Sequence, residues 1–162
     1  MLYDQAAGPG ADTAPPARPP WPAGGQASAS VELPALPVTP AWARRHATAV
    51  LGAWQVHPET IEMAVLLVSE LVTNAVAAVS SGPQITPGAP ITQALRYDAD
   101  HVVIEVSDRD PRPPVPADTG PYDEAGRGLM LVQALSKEWT CTFPPAGGKT
   151  ITVVLPADHQ PT

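Results

Sequence analysis

The segment bounded by Pro58 and Pro83 constrains this chain most. It is largely apolar and free of glycine and proline until Gly82, so it reads as one long helix, yet it carries Glu70 and Asn74 in its interior. Residues four apart lie one above the other on a helix, with about 6 Å between Cβ atoms, so this carboxylate and carboxamide address the same space. At 100° per residue, Ile61, Val65, Val68, Val72, Ala75, Val76 and Val79 form a broad stripe expected to face the core. Glu62, Ser69, Thr73 and Ser80 gather on a narrow polar flank. Glu70 and Asn74 fall on neither and point among Met63, Leu66, Leu67, Ala77 and Ala78. On this helix alone the pair reads either as a surface glutamate beside a structural amide, or as the wall of a pocket or a second interface.

Size and charge narrow the function classes. The 162 residues leave room for one domain, and the Pro, Gly and Ala bias of residues 1–27 shortens the folded part to roughly 130. Pro9, Pro15, Pro16, Pro19, Pro20 and Pro22 fall in that segment, whose composition cannot bury enough apolar surface to offset its ordering entropy; a disordered tail is expected. The net charge of −7 and the pI near 4.8, without clusters of Lys and Arg, argue against nucleic acid as a direct partner. No basic and apolar leader opens the chain, and no uninterrupted apolar run approaches the ~18 residues of a membrane span. A cytoplasmic protein is the expectation. Cys141 is alone and falls in a predicted strand, where a buried inert thiol is expected, and His46, His57, His101 and His159 lack metal-ligand spacing.

Along the chain, Ser28 to Leu33 reads as a short strand, and Thr39-Pro40 as an N-cap followed by proline at the first helical position. A helix to about Trp54 follows, with Ala43, Ala47, Val50, Leu51 and Trp54 inward and Arg44, Arg45 and Thr48 outward. After the long helix, strands are predicted over 91–97 and 101–107, joined by Asp98-Ala99-Asp100, a hairpin turn. Residues 109–125 hold five prolines, Pro111, Pro113, Pro114, Pro116 and Pro121, and read as a lid. Gly126-Arg127-Gly128 opens a third helix over 129–137, and strands over 138–143 and 150–155 close the domain, which spans 28–157 before a short tail at 158–162. The expected fold is α+β, a two-layer sandwich of a mostly antiparallel sheet with about three helices on one face.

Three stretches build one candidate site. Glu70 with Asn74 is the first. Asp108 is the second, an acid where a buried strand enters a long loop, placed to accept from an exocyclic amine or merely to cap the turn. The third is Gly126-Arg127-Gly128, a glycine pair at a helix N-terminus, where free backbone N–H groups and the helix dipole favour phosphate. Gly147-Gly148-Lys149-Thr150 imitates the end of a P-loop, but the motif needs glycine where Phe143 stands and a helix where a strand is read. It is taken as a hairpin turn, with Thr150 facing the ligand from the last strand.

In this order and spacing, the stretches resemble the ATP-binding domain shared by histidine kinases, gyrase and MutL, the GHKL or Bergerat fold. Within it they resemble the small anti-sigma-factor serine kinases of the single-domain actinomycete type. Ser69-Glu70-Leu71-Val72-Thr73-Asn74-Ala75-Val76 matches the N box, Val106-Ser107-Asp108-Arg109-Asp110-Pro111 stands at the first glycine box, and Gly126-Arg127-Gly128-Leu129-Met130-Leu131-Val132 matches the second; Gly148-Lys149-Thr150 and Trp139 also occupy the group's positions. The resemblance implies ATP and Mg²⁺ as cofactors. It makes Asn74 the Mg²⁺ ligand, Glu70 the general base on an attacking serine hydroxyl, Asp108 the acceptor of the adenine amino group, and Gly126, Arg127 and Gly128 the phosphate cradle, with Thr150 near adenine.

Two departures stand out. Asp110 and Arg112 replace the glycines of Asp-x-Gly-x-Gly, which implies a stiffer or differently placed lid, and Ala78 stands where a histidine usually follows the asparagine. The implied function is a serine/threonine protein kinase that phosphorylates an antagonist protein and binds a sigma factor, with a homodimer admitted. The alternative is an ATP-sensing module that sequesters such a partner without phosphoryl transfer. A histidine-kinase catalytic fragment is disfavoured, because no helix bearing a phosphorylatable histidine precedes the domain, and His46 reads as structural.

Overall fold

The computed structural model describes residues 26–81, 88–98, 100–114 and 124–157, with side chains left aside for 124–129. The expected tails at 1–27 and 158–162 therefore fall almost wholly outside the described residues, as does most of the expected lid. The elements are β1 (Ala27–Pro34), α1 (Thr39–Ala53), α2 (Pro58–Ser81), β2 (Pro90–Tyr97), β3 (His101–Asp108), α3 (Glu124–Leu135), β4 (Glu138–Thr142) and β5 (Lys149–Pro156). The five strands form one open antiparallel sheet in the order β1-β2-β3-β5-β4. This is the α+β sandwich expected from the sequence.

Strand alternation sends Val102, Ile104, Val106 and Asp108 of β3, and Lys149, Ile151, Val153 and Leu155 of β5, to the helix-covered face. Against them α2 buries Thr60, Ala64, Leu67, Val68, Leu71, Val72, Ala75 and Val79. This stripe is rotated from the one expected: Leu67 and Leu71 belong to the core, while Ile61, Val65 and Val76 are half-buried. By length and composition α2 could cross a bilayer, but here those eight side chains form the centre of a sandwich core. Thr60 ties its first turn to the end of β5, Oγ1 donating to the Ala157 carbonyl at 3.2 Å.

Helix α1 packs along α2 through Ala43, Ala47 and Leu51. Thr39 is not its N-cap, as expected, but its first residue: the buried hydroxyl donates to the Pro34 carbonyl and accepts from the Leu36 N–H at 3.2 Å. The tight β1–α1 turn thus recruits the oxygen that would otherwise cap the helix. At the other end Gln55 is left-handed (φ 59°) and the Val56 N–H bonds the Leu51 carbonyl at 3.1 Å, a Schellman-type stop made without glycine. His46 is structural, its Nδ1 lying 3.0 Å from Nε2 of the buried Gln93, and burial pushes its pKa down. Cys141 is half-buried, and desolvation pushes its thiol up, away from reactivity.

Candidate nucleotide site

The site begins with the rotation of α2. Once Ala64, Leu67, Leu71 and Ala75 face the core, Glu70 and Asn74 fall on the margin of the buried face and are half-buried. Ala78 and Ser81 continue the same stripe, within about 80° around the helix axis. α1 lies along the other margin, where Arg44 donates to Ser69 Oγ at 2.9 Å. Glu70 and Asn74 therefore occupy the side of α2 away from α1, and α2 also packs against β3 and α3. Neither side chain has a hydrogen-bond partner among the described residues.

Asp108 closes β3 as a buried carboxylate. Its Oδ1 accepts from the Asp110 N–H at 2.7 Å and from Lys149 Nζ at 3.1 Å, and the same ammonium donates to the Asp110 carbonyl at 3.0 Å. The Asp108 and Lys149 side chains are 4% and 6% exposed, so the pair is nearly sealed. Burial pushes the Asp108 carboxyl above its ordinary pKa, with the Lys149 charge opposing the shift. Gly148 makes the packing possible: at φ +76° a Cβ there would stand 2.0 Å from the Asp108 carbonyl oxygen. The hairpin between β4 and β5 is thus fitted to Asp108, backbone against backbone.

The residues that replace the two glycines form a clamp. Arg112 Nε donates to both Asp110 oxygens at 2.9 Å and Nη2 to Oδ2 at 2.7 Å, while Nη2 also reaches the Ala78 carbonyl and Ser81 Oγ, each at 3.2 Å. The bidentate guanidinium holds the Asp110 carboxyl below the usual carboxylate range, and its Nη2 pins the start of the loop to the Glu70 and Asn74 stripe of α2. This clamp stands where the sequence reading expects a stiffer or differently placed lid; residues 115–123 of that lid lie outside the described residues.

Two sequence-predicted features are placed differently. Gly126-Arg127-Gly128 lies inside α3, described from Glu124, rather than before it. Gly126 and Arg127 are then among the first four residues, whose N–H groups lack intrahelical partners, whereas Gly128 is the fifth. Thr150 pairs across the sheet with Ser107, Oγ1 to Oγ 2.8 Å, on the face opposite Asp108. The reason is the two-residue period of a strand: Asp108 is in register with Lys149, so Lys149 and not Thr150 shares its face. Sequence reasoning gave Lys149 no role, yet it is the side chain that meets Asp108.

No cluster of three His, Cys, Asp or Glu side chains could hold a metal among the described residues. Asn74 and Glu70 nevertheless supply hard oxygen donors without competing partners. That donor set fits Mg²⁺, which takes one or two protein oxygens and fills its shell with water and phosphate.

A family model described as the histidine kinase-like ATPase domain matches residues 33–155. No curated protein matches the chain. Among solved structures, a chain of the SiaB–SiaC complex from Pseudomonas aeruginosa aligns with a TM-score of 0.54 at 15% identity, over 79% of this chain and 89% of that one. At that identity the likeness is one of fold. The family match runs from the end of β1 to β5 and takes in Glu70, Asn74, Asp108 and the α3 glycines, and this chain belongs to the histidine kinase-like ATPase domain family, with a GHKL-like fold.

Proposed function

We propose that the chain binds Mg-ATP between α2, the end of β3 and α3, and that it is a cytoplasmic anti-sigma-factor-type serine kinase. In this reading the γ-phosphate passes to a serine of an antagonist protein, and a sigma factor is a second partner. The observation that carries it is the placement of Glu70 and Asn74 one turn apart on the half-buried margin of α2, joined through Arg112 to the loop that leaves Asp108. Asn74 would hold Mg²⁺, with water and phosphate filling the rest of its shell. The ion would supply neutralisation of the phosphate charge. Glu70 takes the proton of the serine hydroxyl as its oxygen bonds to the γ-phosphorus, and ADP leaves with the bridging oxygen's electron pair. Asp108 accepts from the adenine amino group, and the unpaired N–H groups at the start of α3 face phosphate oxygens.

The test is transfer of labelled γ-phosphate to candidate antagonists. Glu70→Ala should bind ATP as the unaltered chain does and transfer nothing, whereas Asn74→Ala should lose Mg-dependent affinity. A second reading, an ATP-sensing module that sequesters its partner, draws support from the Asp110–Arg112 clamp and from Ala78, which gives the N-box helix no second polar side chain one turn beyond Asn74. ATP binding without transfer to any antagonist would select it.

A further inference from the structure

We propose that Lys149 is a specificity-determining residue of this site: its ammonium donates to the ring nitrogen beside the base's amino group, while Asp108 accepts from that amino group. The inference rests on the ATP reading above and deepens it. A lysine is costly to bury, and this one, 5% exposed as a residue, spends two of its three hydrogens on Asp108 Oδ1 and the Asp110 carbonyl. The third has no partner among the described residues. Both bonds accepted by Asp108 fall on Oδ1, so Oδ2 likewise has none among them.

A carboxylate oxygen and an ammonium hydrogen thus stand side by side on the helix-covered face of β3 and β5, held in register by the Asp108 and Lys149 pairing and by the close approach of Gly148. Adenine offers the complementary edge, an N–H donor on its amino group beside the N1 acceptor. Guanine reverses it, with an oxygen at the first position and an N–H at the second. A lysine that only neutralised Asp108 would be indifferent to N1.

Calorimetric titration of the full chain with ATP and with 1-deaza-ATP, in which a C–H replaces N1, separates the two roles. We expect 1-deaza-ATP to bind roughly tenfold more weakly to the unaltered chain, since it leaves the ammonium unpaired, and the two nucleotides to bind alike to Lys149→Met. Equal affinities for the unaltered chain overturn the proposal, and so does a penalty that persists undiminished in Lys149→Met. Should that variant fail to fold, Lys149→Gln completes the same comparison, with a smaller penalty expected and an undiminished one contrary. Absence of any ATP binding by the unaltered chain would instead overturn the nucleotide reading itself.

Discussion

At the scale of single residues, the loop after β3 depends on charges where its family resemblance puts glycines. Asp110 is ionised well into acid because Arg112 bonds both its oxygens, so its folded pKa lies below its unfolded one. Such a group contributes stability above the ordinary aspartate range and loses it as pH falls through the folded value. Arg112→Ala should therefore lower the urea midpoint at neutral pH, and its deficit should shrink as pH falls below the ordinary aspartate range and through the lowered folded value, where the unaltered chain loses the same contribution; a deficit constant down to that acid range would contradict the pairing. Gly148→Ala tests the other contact: a methyl 2.0 Å from the Asp108 carbonyl oxygen, on a left-handed residue, should cost about 3 kcal/mol or more in urea unfolding and displace Asp108. The resemblance puts Gly148 and Lys149 at the group's positions but gives neither a role, because their contacts with Asp108 depend on the register of β5 against β3. Gly-Gly-Lys-Thr shows a turn; only the pairing of Asp108 with Lys149 shows which side chain meets the acid.

At the scale of elements, strands were legible to within a residue or two because apolar alternation survives in β3 and β5, and short polar turns bound them. Helix orientation was less so. α2 is apolar nearly all round, and its wheel admits several stripes; contact with β3 and α1 selects the one holding Leu67 and Leu71 and so moves Glu70 and Asn74 from a remote face to the margin of the core. α3 starts before its glycines although glycine is a poor helix former, an override of propensity by the surrounding fold. The stop of α1 was invisible for a related reason: Gln55 adopts a conformation usually left to glycine, and nothing in Trp54-Gln55-Val56 announces it. Its left-handed backbone predicts that Gln55→Gly stabilises the protein, by about 1 kcal/mol, through relief of the Cβ clash. An unchanged or lowered urea midpoint would show that the cap is not strained.

At the scale of the whole molecule, the candidate site joins pieces far apart in the chain: α2, the β3 exit, the β4–β5 hairpin and the start of α3. A ligand gripping them together stabilises the fold against the unfolded chain, in which no such site exists. At a hundredfold excess over Kd the gain is about 2.7 kcal/mol, which for a domain of this size raises the thermal midpoint by roughly 10 °C. Mg-ATP should produce such a shift, and ATP with a chelator a smaller one, since the phosphates then lose the ion that Asn74 would share. Glu70→Gln should keep the full shift, because in the proposed mechanism the carboxylate's indispensable task is to take a proton during transfer. Asn74→Ala should show the same smaller shift whether or not Mg²⁺ is present, so the variant loses only the metal-dependent part. Scanning calorimetry on the three chains, with and without chelator, reads all of these. A shift in the unaltered chain that ignores the chelator would remove Mg²⁺ and Asn74 from the site, while leaving Asp108 and Lys149 free to bind the base.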